Sequence, residues 1–110
     1  TAEAEFIAAS TMVQEVIYIR RLLEKLGFSQ TKPTTIFEDN TTCIKWAEGA
    51  VCGTDQAKHI DLREHFVHEA QQNKLIQLKG IKGEDNVADI LTKPLLKAKF
   101  IKLRKRLMGF

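Results

Sequence analysis

A small α/β unit is the fold class this sequence predicts, and three observations predict it. An apolar stripe at helical spacing opens the chain, two short runs rich in β-branched and aromatic residues follow, and helical stretches lie between and after those runs. Two strands linked through helices should pair in parallel through a right-handed crossover. The 110 residues, 12.5 kDa, suffice for one domain and leave no room for a second.

Each element has its own signal. Phe6, Ala9, Val13, Val16, Ile19, Leu23 and Leu26 recur at helical spacing, so a helix is predicted over 3–26, with Gly27 where a left-handed cap would end it. Pro33 closes a polar loop. Thr34 to Glu38 (TTIFE) reads as a strand, followed by the turn-forming Asp39-Asn40. Thr41 is expected to cap a second helix through Trp46 and Ala47, after which Gly49 and Gly53 bracket a loop. Ile60, Phe66 and Val67, with Leu62 close by, mark a third helix over 60–70. Leu75 to Ile81, bracketed by Gly80 and Gly83, is the second strand. Glu84 to Leu91 is expected to be a short helix, stopped at Lys93-Pro94 because the residue before proline resists the α conformation. Leu96, Phe100, Leu103 and Leu107, at steps of four, three and four, make 95–108 an amphipathic helix with a basic outer face. Trp46 and Phe66 are read as core, and Cys43 as a small buried apolar residue. Two strands are few for a parallel sheet, which is normally larger and covered on both faces. Either a small irregular unit forms or strands lie outside this sequence.

Composition excludes several classes. A content 44% hydrophobic and 28% charged suits a globular chain, and no apolar run is long enough to span a membrane. Cys43 and Cys52 match neither a disulfide scaffold nor a zinc knuckle, and Glu3 and Glu5 argue against a cleaved signal peptide. A reducing compartment, cytoplasmic or nuclear, is the expectation. Charge is uneven: residues 1–92 balance at −4, whereas 93–110 carry seven basic residues and no acid, a balance of +7. A cluster such as Lys97, Lys99, Lys102, Arg104, Lys105 and Arg106 suits a polyanion, since each neutralised phosphate releases counterions; a solvated helix face is the alternative.

Three acids stand out by position: Glu5 in the first turns of a long helix, Asp39 at the carboxyl end of a strand, and Asp89 on a short helix near the far end. Carboxylates gathered from separate elements at the end of a parallel strand are what Mg²⁺ needs, and two ions could activate water and steady a leaving oxygen. Position alone leaves surface solubility charge as the alternative.

The segments TAEAEFIAA, FEDN, AKHIDLREHF and NVADILTKPL, in that order, resemble the ribonuclease H domain of copia-type retrotransposon polyproteins, whose pattern runs approximately T-x-E-A-E-Y-I-A, C-D-N, T-K-H-I-D-I-R-Y-H-F and A-D-I-[LF]-T-K-P-L. The likeness covers essentially the whole chain. It implies a ribonuclease H-like fold and a site for Mg²⁺ or Mn²⁺ at Glu5, Asp39 and Asp89, with Asp39 bridging two ions and the other acids each holding one. It also implies an RNA/DNA hybrid as substrate and the reverse transcriptase portion of the same polyprotein as partner. Nucleic-acid contacts would fall on Asn40, Lys58, His59, Arg63 and Lys93, joined by Lys97, Lys102, Arg104, Lys105 and Arg106 of the tail. For His59, fixing a helix start with Asp61 is an equal alternative.

Departures matter as well. Phe6 replaces the usual tyrosine and Glu38 the usual cysteine before Asp39; of the two orientations open to Glu38, the one pointing away from Asp39 is expected, because adjacent strand residues face opposite sides. The family's domain begins with three antiparallel strands, the first bearing a further aspartate, and this sequence starts at the helix after them. The resemblance thus implies a truncated sheet, an incomplete metal site and no nuclease activity from this chain alone. Exposed sheet edges would invite a homo-oligomer or swapped dimer. The second reading is a non-catalytic remnant that binds nucleic acid or itself. His65 and His68, three apart, could ligate a metal, but no third ligand is obviously placed.

Overall fold

The structure, a computed structural model, describes residues 2–48 and 58–110. The loop expected between Gly49 and Gly53, and Cys52, lie outside the described residues, as do the side chains of Lys58, His59, Ile60 and Asp61. In chain order the elements are α1 (Ala2–Lys25), β1 (Thr34–Glu38), α2 (Thr41–Ala47), α3 (Lys58–Gln72), β2 (Ile76–Gly80), a 3₁₀ turn (Gly83–Asp85), α4 (Asp89–Thr92) and α5 (Lys97–Met108). The result is a mixed helix and strand fold with two parallel strands. Among the described residues, no helix is long and apolar enough to cross a membrane.

β1 and β2 pair in register from Thr34 opposite Ile76 to Glu38 opposite Gly80. The two-residue period of a strand then decides which side chains turn inward. Ile76 and Leu78 of β2 are buried, and Thr34, Ile36 and Glu38 form the more buried face of β1, whereas Thr35 and Phe37 are exposed. Those inward residues meet α1, α2 and α3 in a core of Phe6, Val13, Cys43, Ala47, Val67, Ala70, Ile76 and Leu78. Trp46 and Phe66 pack against it, as their stripes predict, and Trp46 meets Phe6 edge to face at 5.6 Å. The other edge of β1 has no strand partner among the described residues, and an open groove of about 790 Å³ beside the strand is lined by Met12, Val16, Phe37, Ile81 and Val87.

Several expectations need correction. Asn40, not Thr41, caps α2: its Oδ1 accepts hydrogen bonds from the Thr42 and Cys43 amides at 2.9 and 3.3 Å, satisfying two otherwise orphaned donors. The single helix expected over Glu84 to Leu91 is two short pieces. Asn86 takes an extended backbone and its Oδ1 accepts from the Ala88 amide, so local side-chain bonding outcompetes the helix. Lys93, just before Pro94, is extended as expected. In α5 only Leu103 of the predicted stripe is buried; Leu96, Phe100 and Leu107 are exposed.

The end of α1 follows its sequence signal, with Gly27 at φ +93° and the Phe28 amide donating back to Leu23 O at 2.8 Å. Its inward stripe holds over the first half, where Phe6, Ala9 and Val13 are buried and Val16 packs against the core; in the second half Ile19 and Leu26 are exposed and Arg20, at 8% exposure, takes the buried position. Phe6, Val13 and Arg20 are seven residues apart, a step that drifts only about 20° around a helix and therefore keeps one face.

Candidate functional site

The carboxyl end of β1 collects acidic groups. Glu5 comes from the first turns of α1, where the helix amino terminus favours negative charge. Glu38 ends β1 on its inward face, Asp39 follows, and Cys43 lies buried in the first turn of α2. Ligand atoms of Glu5, Glu38 and Cys43 lie within 4.8 Å of one another. Glu5 Oε2 is buried without a hydrogen-bond partner. Glu38 accepts the Asn40 amide at 3.1 Å, and Asp39 Oδ2 accepts from Asn86 Nδ2 at 3.2 Å.

This corrects the expectation for Glu38. It shares the inward face with Thr34 and Ile36, while Asp39 lies beyond the strand, so the alternation that was to separate the two no longer applies. Burial raises the Glu38 carboxyl above its usual range, aided by a hydrogen bond with Asp39 and by the nearby charges of Asp39 and Glu5. Burial first, then the Glu38, Glu5 and Asp39 carboxylates, push the Cys43 thiol up to about 12. A protonated thiol suits a hard cation poorly. The carboxylates suit it well, and the orphaned Glu5 Oε2 is a donor position that Mg²⁺ or Mn²⁺ would satisfy.

A pH dependence follows from Glu38. Its contribution to stability is fully present below the unfolded value of 4.5 and is lost as pH rises through the raised folded value. In metal-free protein, the melting temperature of Glu38→Gln minus that of the unsubstituted chain should be near zero around pH 4.5 and grow by about pH 7. A difference that stays constant across that interval rejects this account.

Asp89 takes a different environment. It is 5% exposed, and its carboxylate meets Lys99 at 3.1 Å and Lys93 at 3.5 Å. Its amide donates to Asn86 O at 3.1 Å, so Asn86 connects the Asp89 turn to Asp39. The structure thus gathers Glu5, Glu38 and Asp39 at the strand end, with Asp89 one asparagine away and engaged by lysines. Sequence reasoning missed Asn86 and the role of Lys99 as an Asp89 partner; a polar residue three positions before Asp89 was the only available signal.

Comparison with known proteins gives this site a context. Over 109 residues, 99% of its length, the chain is 34% identical to a retrovirus-related Pol polyprotein from transposon TNT 1-94 of Nicotiana tabacum. The chain's homologues are transposon Pol polyproteins. Two more, from transposons RE1 and RE2 of Arabidopsis thaliana, are each 30% identical over 100 residues, 91% of the chain. The chain spans 8% of the first of these polyproteins and 7% of each of the other two. No family model and no solved structure matches.

The residues expected to touch nucleic acid are engaged to different degrees. Asn40 is engaged as the α2 cap, and Arg63 reaches Ser10 Oγ at 3.2 Å, tying α3 to α1. In the tail, Lys102 and Arg106 meet Asp85 at 2.9 and 3.5 Å, and Arg104 donates to Phe110 O at 3.0 Å. The Lys102 hydrogen bond, then its charge and that of Arg106, lower the Asp85 carboxyl. These pairs lie in solvent, which screens them, so a phosphate could compete with Asp85 for the same basic groups. Lys97 and Lys105 complete the basic face and have no ion pair among the described residues. His68 Nδ1 lies 3.2 Å from Ala47 O, a contact that fixes α3 against the end of α2.

Proposed function

We propose that this chain is the carboxyl-terminal part of a retrotransposon ribonuclease H, whose intact domain hydrolyses the RNA strand of an RNA/DNA hybrid during reverse transcription. The observation that carries this reading is the meeting of Glu5 with the Glu38–Asp39 end of β1, two acidic segments more than thirty residues apart in the chain. The motif resemblance points to the same acids. Glu5, Asp39 and Asp89 would hold Mg²⁺ or Mn²⁺, which when bound supplies an activated water and charge stabilisation at the phosphodiester. Asn86 holds the Asp39 carboxylate, and Lys93 and Lys99 keep Asp89 compensated until a cation competes for it. Hybrid recognition would rest on backbone and 2′-OH contacts, with Arg63 and the basic face of α5 on the phosphates. Upstream strands of the same polyprotein, bearing the further aspartate the resemblance implies, would pair with the open edge of β1 beside its apolar groove.

The test is a hybrid-cleavage assay with Mg²⁺ or Mn²⁺ on this chain, on a form extended upstream, and on the extended form carrying Asp39→Asn. The extended form should cut, the short chain should not, and Asp39→Asn should lose at least about 100-fold, since even outer-shell partners of a metal's ligands cost about 10–100-fold and Asp39 would be a direct ligand. An extended form that binds hybrids in a salt-sensitive way without cutting would favour a non-catalytic binding module instead. Cleavage undiminished by Asp39→Asn would defeat the proposal.

A further inference from the structure

We infer that Glu38 is itself a ligand for the divalent cation, supplying a carboxylate of this chain's own where the resembled family carries a cysteine. The inference rests on the ribonuclease H reading and adds to it a residue that the family pattern does not assign.

Geometry makes the case. Glu38 ends the inward face of β1, and its carboxylate lies within 4.8 Å of that of Glu5, a separation one hard cation can bridge with a small side-chain adjustment. The Asn40 amide at 3.1 Å and a hydrogen bond with Asp39 fix the Glu38 carboxyl group at the strand end, beside Glu5. Glu5 Oε2 is buried without a hydrogen-bond partner, and a buried acceptor left unsatisfied is destabilising.

Countercharge points the same way. Asp85 and Asp89 each have ion pairs with basic side chains, whereas Glu5, Glu38 and Asp39 have none among the described residues. Three carboxylates from two segments therefore converge without a lysine or arginine between them, in a chain that gives Asp89 two. A divalent cation held by Glu5 and Glu38, with Asp39 beside them, supplies that charge and satisfies the orphaned oxygen. Adjacent Glu38 and Asp39 could each reach a cation because the strand ends between them.

The test titrates Mn²⁺ into the metal-free chain by calorimetry and by electron paramagnetic resonance. It compares the unsubstituted chain with Glu38→Gln, Glu38→Cys, Glu5→Gln and Glu3→Gln, with circular dichroism establishing that each is folded. Glu38→Gln should weaken Mn²⁺ binding at least about tenfold. Glu38→Cys should do the same, because a thiol is a poor ligand for a hard cation. Glu3→Gln, an exposed change on the same helix turn, should leave affinity unchanged. Mn²⁺ should also raise the melting temperature of the unsubstituted chain more than that of Glu38→Gln. Binding abolished by Glu5→Gln but untouched by Glu38→Gln overturns the inference and leaves the ribonuclease H reading standing. No Mn²⁺ binding by the unsubstituted chain also overturns it, whereas failure of the extended form to cut hybrids is the separate failure of that reading.

Discussion

Phe6→Ala should cost about 3–5 kcal/mol of folding stability, the range for deleting a buried aromatic ring. Phe6 is 0% exposed and is among the largest fully buried side chains. It joins α1 to α2 through its edge-to-face contact with Trp46, at 5.6 Å and 77° between ring planes, geometry that adds about 0.5–1.5 kcal/mol to the burial. A domain of this size has roughly 5–15 kcal/mol in total, so the variant should unfold at a much lower urea concentration. Phe37→Ala is the control. Phe37 is 59% exposed beside the open edge of β1, and its loss should cost less than about 1 kcal/mol. Equal urea midpoints for the two variants would show that the core is not where the structure puts it.

Arg20→Ala should destabilise the chain by about 3 kcal/mol, through hydrogen bonds and not through apolar packing. The guanidinium donates to Lys32 O at 2.7 Å, to Thr34 Oγ1 at 2.9 Å and to Gln30 O at 3.3 Å, so one side chain of α1 anchors the loop that leads into β1. Charge-assisted hydrogen bonds contribute about 1.5–3 kcal/mol each, and stranding their acceptors adds to the loss. Arg20→Lys should recover less than half of it, because a single ammonium cannot match a planar fork aimed at three acceptors. Hydrogen exchange provides a local check. The Thr34 amide donates to Leu75 O at 3.1 Å and opens the strand ladder, so its protection should fall in Arg20→Ala more than that of core amides in α3. If Arg20→Lys matches the unsubstituted chain in both measurements, the fork geometry is irrelevant.

The acidic strand end and the Arg20 anchor occupy opposite ends of β1, and they illustrate two ways of placing charge. Arg20 is nearly buried yet surrounded by oxygen acceptors, so its burial is compensated within the chain. Glu5 Oε2 has no such partner, and burial raises the Glu38 carboxyl above its usual range even though the Asn40 amide bonds it. A stability optimum would not place like charges there, which is why this end of the strand is read as the functional one.

What the sequence by itself determined was the order of elements and most of their ends. Those properties depend on contacts within a few residues: helical spacing from Phe6 to Val13, the β-branched run TTIFE, the left-handed Gly27 and the stop before Pro94. The position of Asp39 at the end of a strand and of Glu5 in a first helical turn was legible for the same reason. Only the tertiary structure decided what these side chains meet. It turned Glu38 inward to Glu5, joined Asp39 to Asn86, gave Asp89 its two lysines and placed Arg20 on the buried face. Periodicity reports which face of an element is apolar, but a meeting between charged groups tens of residues apart depends on how whole elements pack, and spacing along the chain does not encode it.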